Sequence, residues 1–207
     1  AEEFAEKTAW IGAQLDRMAA DIVGFQEVFH KDALTAALAQ SVRFKEVEPI
    51  VLASNEEENP AKTPAVALAS RFPVLEAESI SAFPGSAIIL LEVEEGAPLF
   101  VPVASFSRPV LKARVAVSEE IEIVIFVAHL KSKRPTYYEG ESAANPLDRT
   151  LGSARSLVRS AAEAAALRAL ILDEIADTRT PVIVLGDVND ATLAVTTQMI
   201  AGEKQYY

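Results

Sequence analysis

Pro181-Val182-Ile183-Val184-Leu185-Gly186-Asp187-Val188-Asn189-Asp190 is the stretch on which the fold turns. A proline stops the helical pattern before it, and four apolar residues follow, three of them β-branched. A run of that kind reads as a buried strand, and Gly-Asp-x-Asn-Asp then reads as the polar loop that ends it. Upstream, residues 153–177 form a long Ala-rich helical pattern with Leu157, Ala161, Ala165, Ile171 and Ile175 as the expected buried stripe. Helix, stop, strand and polar loop in that order belong to a layered α/β protein.

The remainder of the chain extends the pattern. Phe4, Ile11, Leu15 and Met18 share one face of a helix over residues 3–20. Asp21-Ile22-Val23-Gly24-Phe25 reads as a short buried strand, and 31–40 as a second helix. Further strands are expected at 65–70, 87–94, 111–117 and 121–128. Ser118-Glu119-Glu120 is a turn, so 111–128 forms a hairpin. Residues 54–64, acidic and carrying two prolines, read as a surface loop within a single domain over 1–207.

Composition narrows the classes. Of 207 residues half are hydrophobic, enough apolar surface to offset the entropy of ordering the chain. The absence of Cys excludes disulfide scaffolds, zinc-thiolate sites and thiol catalysis. A net charge of −11 argues against wrapping a nucleic-acid backbone by bulk attraction, though not against a local basic site or a metal that neutralises phosphate. No run approaches the length of a membrane-spanning helix. The start, Ala1-Glu2-Glu3-Phe4, has neither a basic nor an apolar leader segment, which favours the cytoplasm and leaves secretion open, since a cleaved signal leaves no trace.

The residues at the strand ends carry the chemistry. Gln26-Glu27 follows the first strand, His129-Leu130-Lys131-Ser132 the strand at 121–128, and Gly186-Asp187-Val188-Asn189-Asp190 the last. Taken singly, each has an ordinary reading: a polar strand end, a satisfied core histidine, a turn. Ser107-Arg108-Pro109-Val110-Leu111-Lys112 reads likewise as a loop entering a strand, with its cations solvated. Together they place carboxylate, amide and imidazole at equivalent positions over a sheet. Hard oxygen ligands of this type suit Mg²⁺ or Mn²⁺, and Asn, His and Arg donors suit the charge that develops on a transferring phosphoryl group.

The order Gln26-Glu27-Val28, Arg108-Pro109-Val110-Leu111, His129-Leu130-Lys131-Ser132, Gly186-Asp187-Val188-Asn189-Asp190 resembles the endonuclease/exonuclease/phosphatase superfamily, the DNase I-like group. The resemblance spans about residues 3 to 200. It implies a four-layer α/β sandwich of two packed, mostly antiparallel sheets flanked by helices. It also implies hydrolysis of phosphate esters by metal-assisted water attack. Glu27 would bind the divalent metal, Mg²⁺ or Mn²⁺, with Asp187 beside it orienting or deprotonating the water. Asn189 would hydrogen-bond the phosphate, and His129 would contact the scissile phosphate or donate to a non-bridging oxygen. Arg108, Lys131 and Lys133 would be the phosphate-binding cations. Members of the group also open with a strand ending in Asn and close with an Asp-His pair. Here the only histidines are His30 and His129, so the resemblance implies a domain that continues beyond both ends of 1–207.

Three functions remain open on the residues. The first is a nuclease-like phosphodiesterase, for which the 131–149 segment offers Lys131, Lys133, Arg134 and Arg149 as basic groups and Tyr137 and Tyr138 as stacking surfaces; its ordinary reading is a mobile segment of mixed charge. The second is a phosphatase or phosphodiesterase for small molecules or phospholipids. The third is a binding domain that has lost the reaction.

Overall fold

The computed structural model describes residues 2–51, 64–94, 97–176 and 178–202. All of the acidic loop expected at 54–64 except Pro64 lies outside the described residues, as does Asp177, the expected last residue of the long helical pattern. The elements run α1 (Glu2–Met18), β1 (Ile22–Val28), α2 (Lys31–Leu38), β2 (Ile50–Val51), β3 (Ala65–Ser70), β4 (Val74–Ala82), a 3-10 turn (Gly85–Ala87), β5 (Leu90–Glu94), β6 (Ala97–Phe100), β7 (Ser105–Ala116), β8 (Glu122–His129), α3 (Pro146–Ile175), β9 (Val182–Asp187) and α4 (Val195–Ala201). The chain divides into two compact units: Ala1–Ile80 with Arg108–His129 and Arg179–Gly186, and Ser81–Ser107 with Leu130–Thr178 and Asp187–Tyr207.

In the first unit, period-2 alternation builds the layers. β3 pairs antiparallel with both β1 and β2, giving a three-stranded sheet of order β1-β3-β2. The second sheet has the order β4-β7-β8-β9, and β7 and β8 form the expected antiparallel hairpin with Leu111 opposite Val127. Val66 and Leu68 of β3 point into a core shared with Leu111, Ala113 and Val115 of β7 and Ile123, Ile125 and Val127 of β8. Ala67 and Ala69, one residue out of phase, face Leu15 of α1, Leu34 and Leu38 of α2, and Phe44. The two sheets therefore pack face to face with helices outside the first, the α/β sandwich expected. Each large apolar side chain in such a core contributes about 1.5–3 kcal/mol.

The buried face of α1 differs from the expected one. Leu15 is buried and Ile11 packs half-buried against the same core as expected, but the other buried residues are Thr8 and Gly12, while Phe4 and Met18 are about half exposed. At 100° per residue this turns the face by about 60°. The cause is close approach: a Cβ on Gly12 would lie 2.6 Å from Gln40 Cβ, so α1 meets the end of α2 at its glycine. Asp16 locks the contact, accepting from Ser41 Oγ at 2.6 Å and from the Val42 and Arg43 N–H groups at 3.0 Å.

Other elements either left no trace in the pattern or, like the strands expected at 182–185 and 111–117, form with a different burial or start. β4 stands at one end of its sheet with Glu76, Ala77 and Glu78 exposed, so it carries little hydrophobic signal. β9 stands at the other end, and its apolar run is only half-buried, with Ile183 41% exposed. β7 begins at Ser105, which places Ser107-Arg108-Pro109-Val110 inside a strand and corrects their reading as a loop. β2, β6 and α4 are too short to generate a readable period.

In the second unit β5 and β6 pair antiparallel, and α3 packs against α4 and the 3-10 turn. α3 starts at Pro146, seven residues before the expected 153, because Asn145 caps it: its side chain accepts from Leu147 N–H at 2.9 Å with Pro146 following. Of the expected stripe only Ile171 is buried; Leu157 is 63% and Ile175 39% exposed. The stripe that is buried runs Gly152, Ser156, Ser160, Glu163, Leu167, Ile171, and its first four residues are small or polar. Hydrophobic periodicity cannot detect a face that is buried by hydrogen bonding. Among the described residues no helix is long and apolar enough to cross a membrane.

Candidate functional site

Glu27 lies inside β1, not beyond its end. Phe25 pairs with Ala67 and Val28 with Ala65, so two β1 residues, Gln26 and Glu27, oppose one residue of β3. This is a β-bulge, and Glu27 takes a φ of +56° there. A non-glycine residue in left-handed backbone costs on the order of 1–3 kcal/mol and persists only where its surroundings impose it. The bulge turns an exposed carboxylate out of the strand. Glu27 also borders a cavity of about 440 Å³ whose walls include Ile11, Phe25, Phe29 and Leu34, with Lys7 and His30.

His129 and Asp187 are the last residues of β8 and β9. β8 is buried from Ile123 to His129, which is 5% exposed. Arg108 Nη1 donates to the His129 carbonyl oxygen at 3.3 Å, so the first unit brings these two expected site residues together. Gly186 sits before Asp187 with φ +135°, and a Cβ there would lie 1.9 Å from the Ala128 carbonyl oxygen. Only glycine allows β9 to run this close to β8.

The second unit joins the other two motifs. Asp187 Oδ1 accepts the Asn189 N–H at 2.7 Å, closing a turn in which Asn189 has φ +54°. Asn189 Nδ2 donates to the Leu130 carbonyl at 2.9 Å, and Leu130 N–H donates to the Asp187 carbonyl at 3.0 Å. The Asp187 carboxylate is exposed and Asn189 is half-buried. Asp190 turns inward, accepting from Lys133 Nζ at 2.5 Å and Thr196 Oγ1 at 2.7 Å. The Lys133 ammonium and Thr196 hydroxyl hold its carboxyl down from 3.8 to about 2. Lys131 Nζ curls onto the Ser132 and Arg134 carbonyls at 3.3 and 3.1 Å. A phosphate would therefore take these two lysines from partners within the protein.

The segment after Lys131 is anchored rather than loose. Arg155 forms a bidentate pair with Glu141, donates to the Thr136 carbonyl at 2.9 Å and lies 4.3 Å from the centroid of the Tyr138 ring. The Arg155 pairing and the Tyr138 N–H hold the Glu141 carboxyl below its ordinary value. One face of Tyr138, a stacking candidate, is therefore already covered by a guanidinium.

Sequence reasoning missed Glu163. Its carboxylate is fully buried, with Oε1 accepting from Ser107 N–H at 2.7 Å and Ser107 Oγ at 2.6 Å, and Oε2 from Lys131 N–H at 2.6 Å. A lone acidic residue among Ser160, Ala161, Ala162, Ala164 and Ala165 was the available signal, because charged groups are rarely buried without partners.

Among the described residues no three His, Asp or Glu side chains gather closely enough to cage a metal ion. A magnesium site asks for less, one or two carboxylates completed by water and substrate oxygens, and an exposed Glu27 on an imposed bulge fits that requirement.

Residues 6–200 match the Endonuclease/Exonuclease/phosphatase family. No curated protein matches the sequence. Among solved structures the chain is similar to the human Nocturnin catalytic domain with bound sulfate anion, at 14% identity and a TM-score of 0.59, covering 96% of this chain and 62% of that one. It is similar to a mannosyl-6-phosphatase of Bacteroides thetaiotaomicron, at 13% identity and a TM-score of 0.56, covering 95% and 61%. It is similar also to sphingomyelinase C of Streptomyces griseocarneus, at 16% identity and a TM-score of 0.51, again covering 95% and 61%. The chain thus spans a little over three fifths of the length of each.

Proposed function

Because this chain belongs to the endonuclease/exonuclease/phosphatase family, whose members are phosphoesterases, we propose that it hydrolyses phosphodiester bonds by water attack assisted by a divalent metal, Mg²⁺ or Mn²⁺. The observation that carries the reading is the linked turn at Asp187. One hydrogen-bonded unit holds an exposed carboxylate, an amide and the Leu130 carbonyl between His129 and Lys131.

In this reading Glu27 is the metal-binding carboxylate, with Asp187 as the second. When bound, the ion supplies Lewis-acid polarisation of a phosphoryl oxygen. Asp187 orients the attacking water and accepts its proton. Water oxygen bonds to phosphorus as the ester oxygen departs. Asn189 has one amide hydrogen committed to Leu130 and a second to offer a phosphoryl oxygen. His129 donates to a non-bridging oxygen, and Arg108, Lys131 and Lys133 bind the phosphate, fixing it for attack.

The test is release of p-nitrophenol from bis-p-nitrophenyl phosphate, and nicking of plasmid DNA, with Mg²⁺ or Mn²⁺ and then with EDTA. Metal-dependent turnover that Asp187→Asn lowers supports the reading; an unchanged rate in that variant overturns it. A second reading, a phosphodiesterase or phosphatase for small molecules or phospholipids, is favoured by the largely apolar 440 Å³ cavity beside Glu27. Its volume suits a compact organic group better than a nucleic-acid strand. Comparing rates on duplex DNA, sugar phosphates and phospholipid separates the two.

A further inference from the structure

We propose that Glu163 is a positioning residue that sets the phosphate-contact groups Arg108 and Lys131; the proposal rests on the phosphoesterase reading above. Glu163 lies in the middle of α3. What it grips is two backbone N–H groups and one hydroxyl. Oε1 takes both donors of Ser107, the residue before Arg108, and Oε2 takes the N–H of Lys131, two residues after His129. The two segments lie 56 and 32 residues from it in sequence. Burying a carboxylate is costly unless donors meet it, and three short hydrogen bonds do so here. Arg159, one turn earlier, stands 3.9 Å from Oε1 and donates to the Ser105 carbonyl at 3.3 Å.

An apolar residue at 163 would fill the same space without setting the direction of two main-chain N–H groups. A carboxylate does set it, since each oxygen accepts along a defined direction. The same face of α3 holds the rest of that segment: Ser156 Oγ donates to the Arg134 carbonyl at 2.7 Å, and a Cβ on Gly152 would lie 2.9 Å from the Thr136 carbonyl oxygen. The small and polar stripe of α3 is thus a bed for residues 131–136, and Glu163 reaches Ser107 as well.

Glu163→Gln tests this, because glutamine keeps the size but turns an NH₂ donor toward either the Ser107 or the Lys131 N–H. Expected are a tenfold or greater loss of amide-exchange protection at Ser107 or Lys131 with β1 and β3 unchanged, and a KM for bis-p-nitrophenyl phosphate raised about tenfold with kcat within about threefold. Protection retained at both amides, lost evenly across the fold, or a kcat loss with KM unchanged would overturn the proposal. Titration with inorganic phosphate, read from the amide resonances, is independent of turnover. Shifts at Arg108 and Lys131 that need about tenfold more phosphate in the variant support positioning. No shifts at those amides in the wild type overturn it. A wild type that binds phosphate there but releases no p-nitrophenol removes the phosphoesterase reading and leaves the positioning role standing. If Glu163→Gln gives no cooperative unfolding transition, Ser107→Ala replaces it. That variant removes only the hydroxyl bond and is expected to raise KM about threefold at constant kcat; an unchanged KM overturns the proposal.

Discussion

At the residue scale, Asp187 and Asp190 share one short loop and their surroundings give them opposite tasks. Asp187 is exposed, and its Oδ1 does no more than close the turn onto Asn189 N–H, a bond that asparagine also accepts. Asp187→Asn is therefore expected to lower turnover by about 10²–10⁴-fold while the melting temperature stays put, read by initial rates and circular dichroism. Asp190 is tied to Lys133 and Thr196, which depress its carboxyl from 3.8 to about 2. A depressed carboxyl stabilises the fold above its unfolded value and loses that contribution as pH falls through the folded one. Wild-type protein should lose stability between about pH 4 and pH 2, and Asp190→Asn, weaker at neutral pH, should show a flatter curve there, read as melting temperature against pH. Both aspartates were legible as members of Gly-Asp-x-Asn-Asp, but which of them faces water was not. That depends on where Lys133 and Thr196 arrive, and neither position follows from the motif.

At the element scale, strands and helices meet where a side chain is missing. Gly186→Ala would force a Cβ to 1.9 Å from the Ala128 carbonyl at φ +135°, so β9 must leave β8. The expected loss is more than about 3 kcal/mol by denaturant unfolding, and activity should fall with it, because Asp187 is the next residue. Gly85→Ala, with nothing within 4 Å, is the control and should stay within about 0.5 kcal/mol. The β7–β8 hairpin and the existence of α1, α2 and α3 were readable from periodicity and turn residues. The buried faces of α1 and α3 were not. Gly12 on one helix and Ser156, Ser160 and Glu163 on the other are buried by close approach and hydrogen bonds, which a hydrophobic pattern does not register. The bulge that presents Glu27 was also hidden, because nothing in Phe25-Gln26-Glu27-Val28 announces an extra residue until its pairing with β3 is known.

At the scale of the whole molecule, the proposed hydrolysis requires a chain of net charge −11 to counter its own field locally around a phosphate. Treatment with EDTA is expected to abolish hydrolysis and Mg²⁺ to restore it, with little change in melting temperature. Metal-free protein should not retain duplex DNA in a gel-shift at about 0.15 M salt, because retention needs a basic face. Loss of turnover without recovery on adding Mg²⁺ or Mn²⁺ would remove the metal from the proposed chemistry. The sequence by itself determined the α/β class, the hairpin, the family and the motif order, because each is written in contiguous residues: apolar runs, turns, and polar groups at strand ends. Only the tertiary structure decided that Glu27 sits on a bulge, that Asn189 is bonded to Leu130, and that Glu163 holds Ser107 and Lys131. Those are pairings between residues far apart in the chain, and they exist only once the packing of sheet and helix brings their partners within hydrogen-bonding distance.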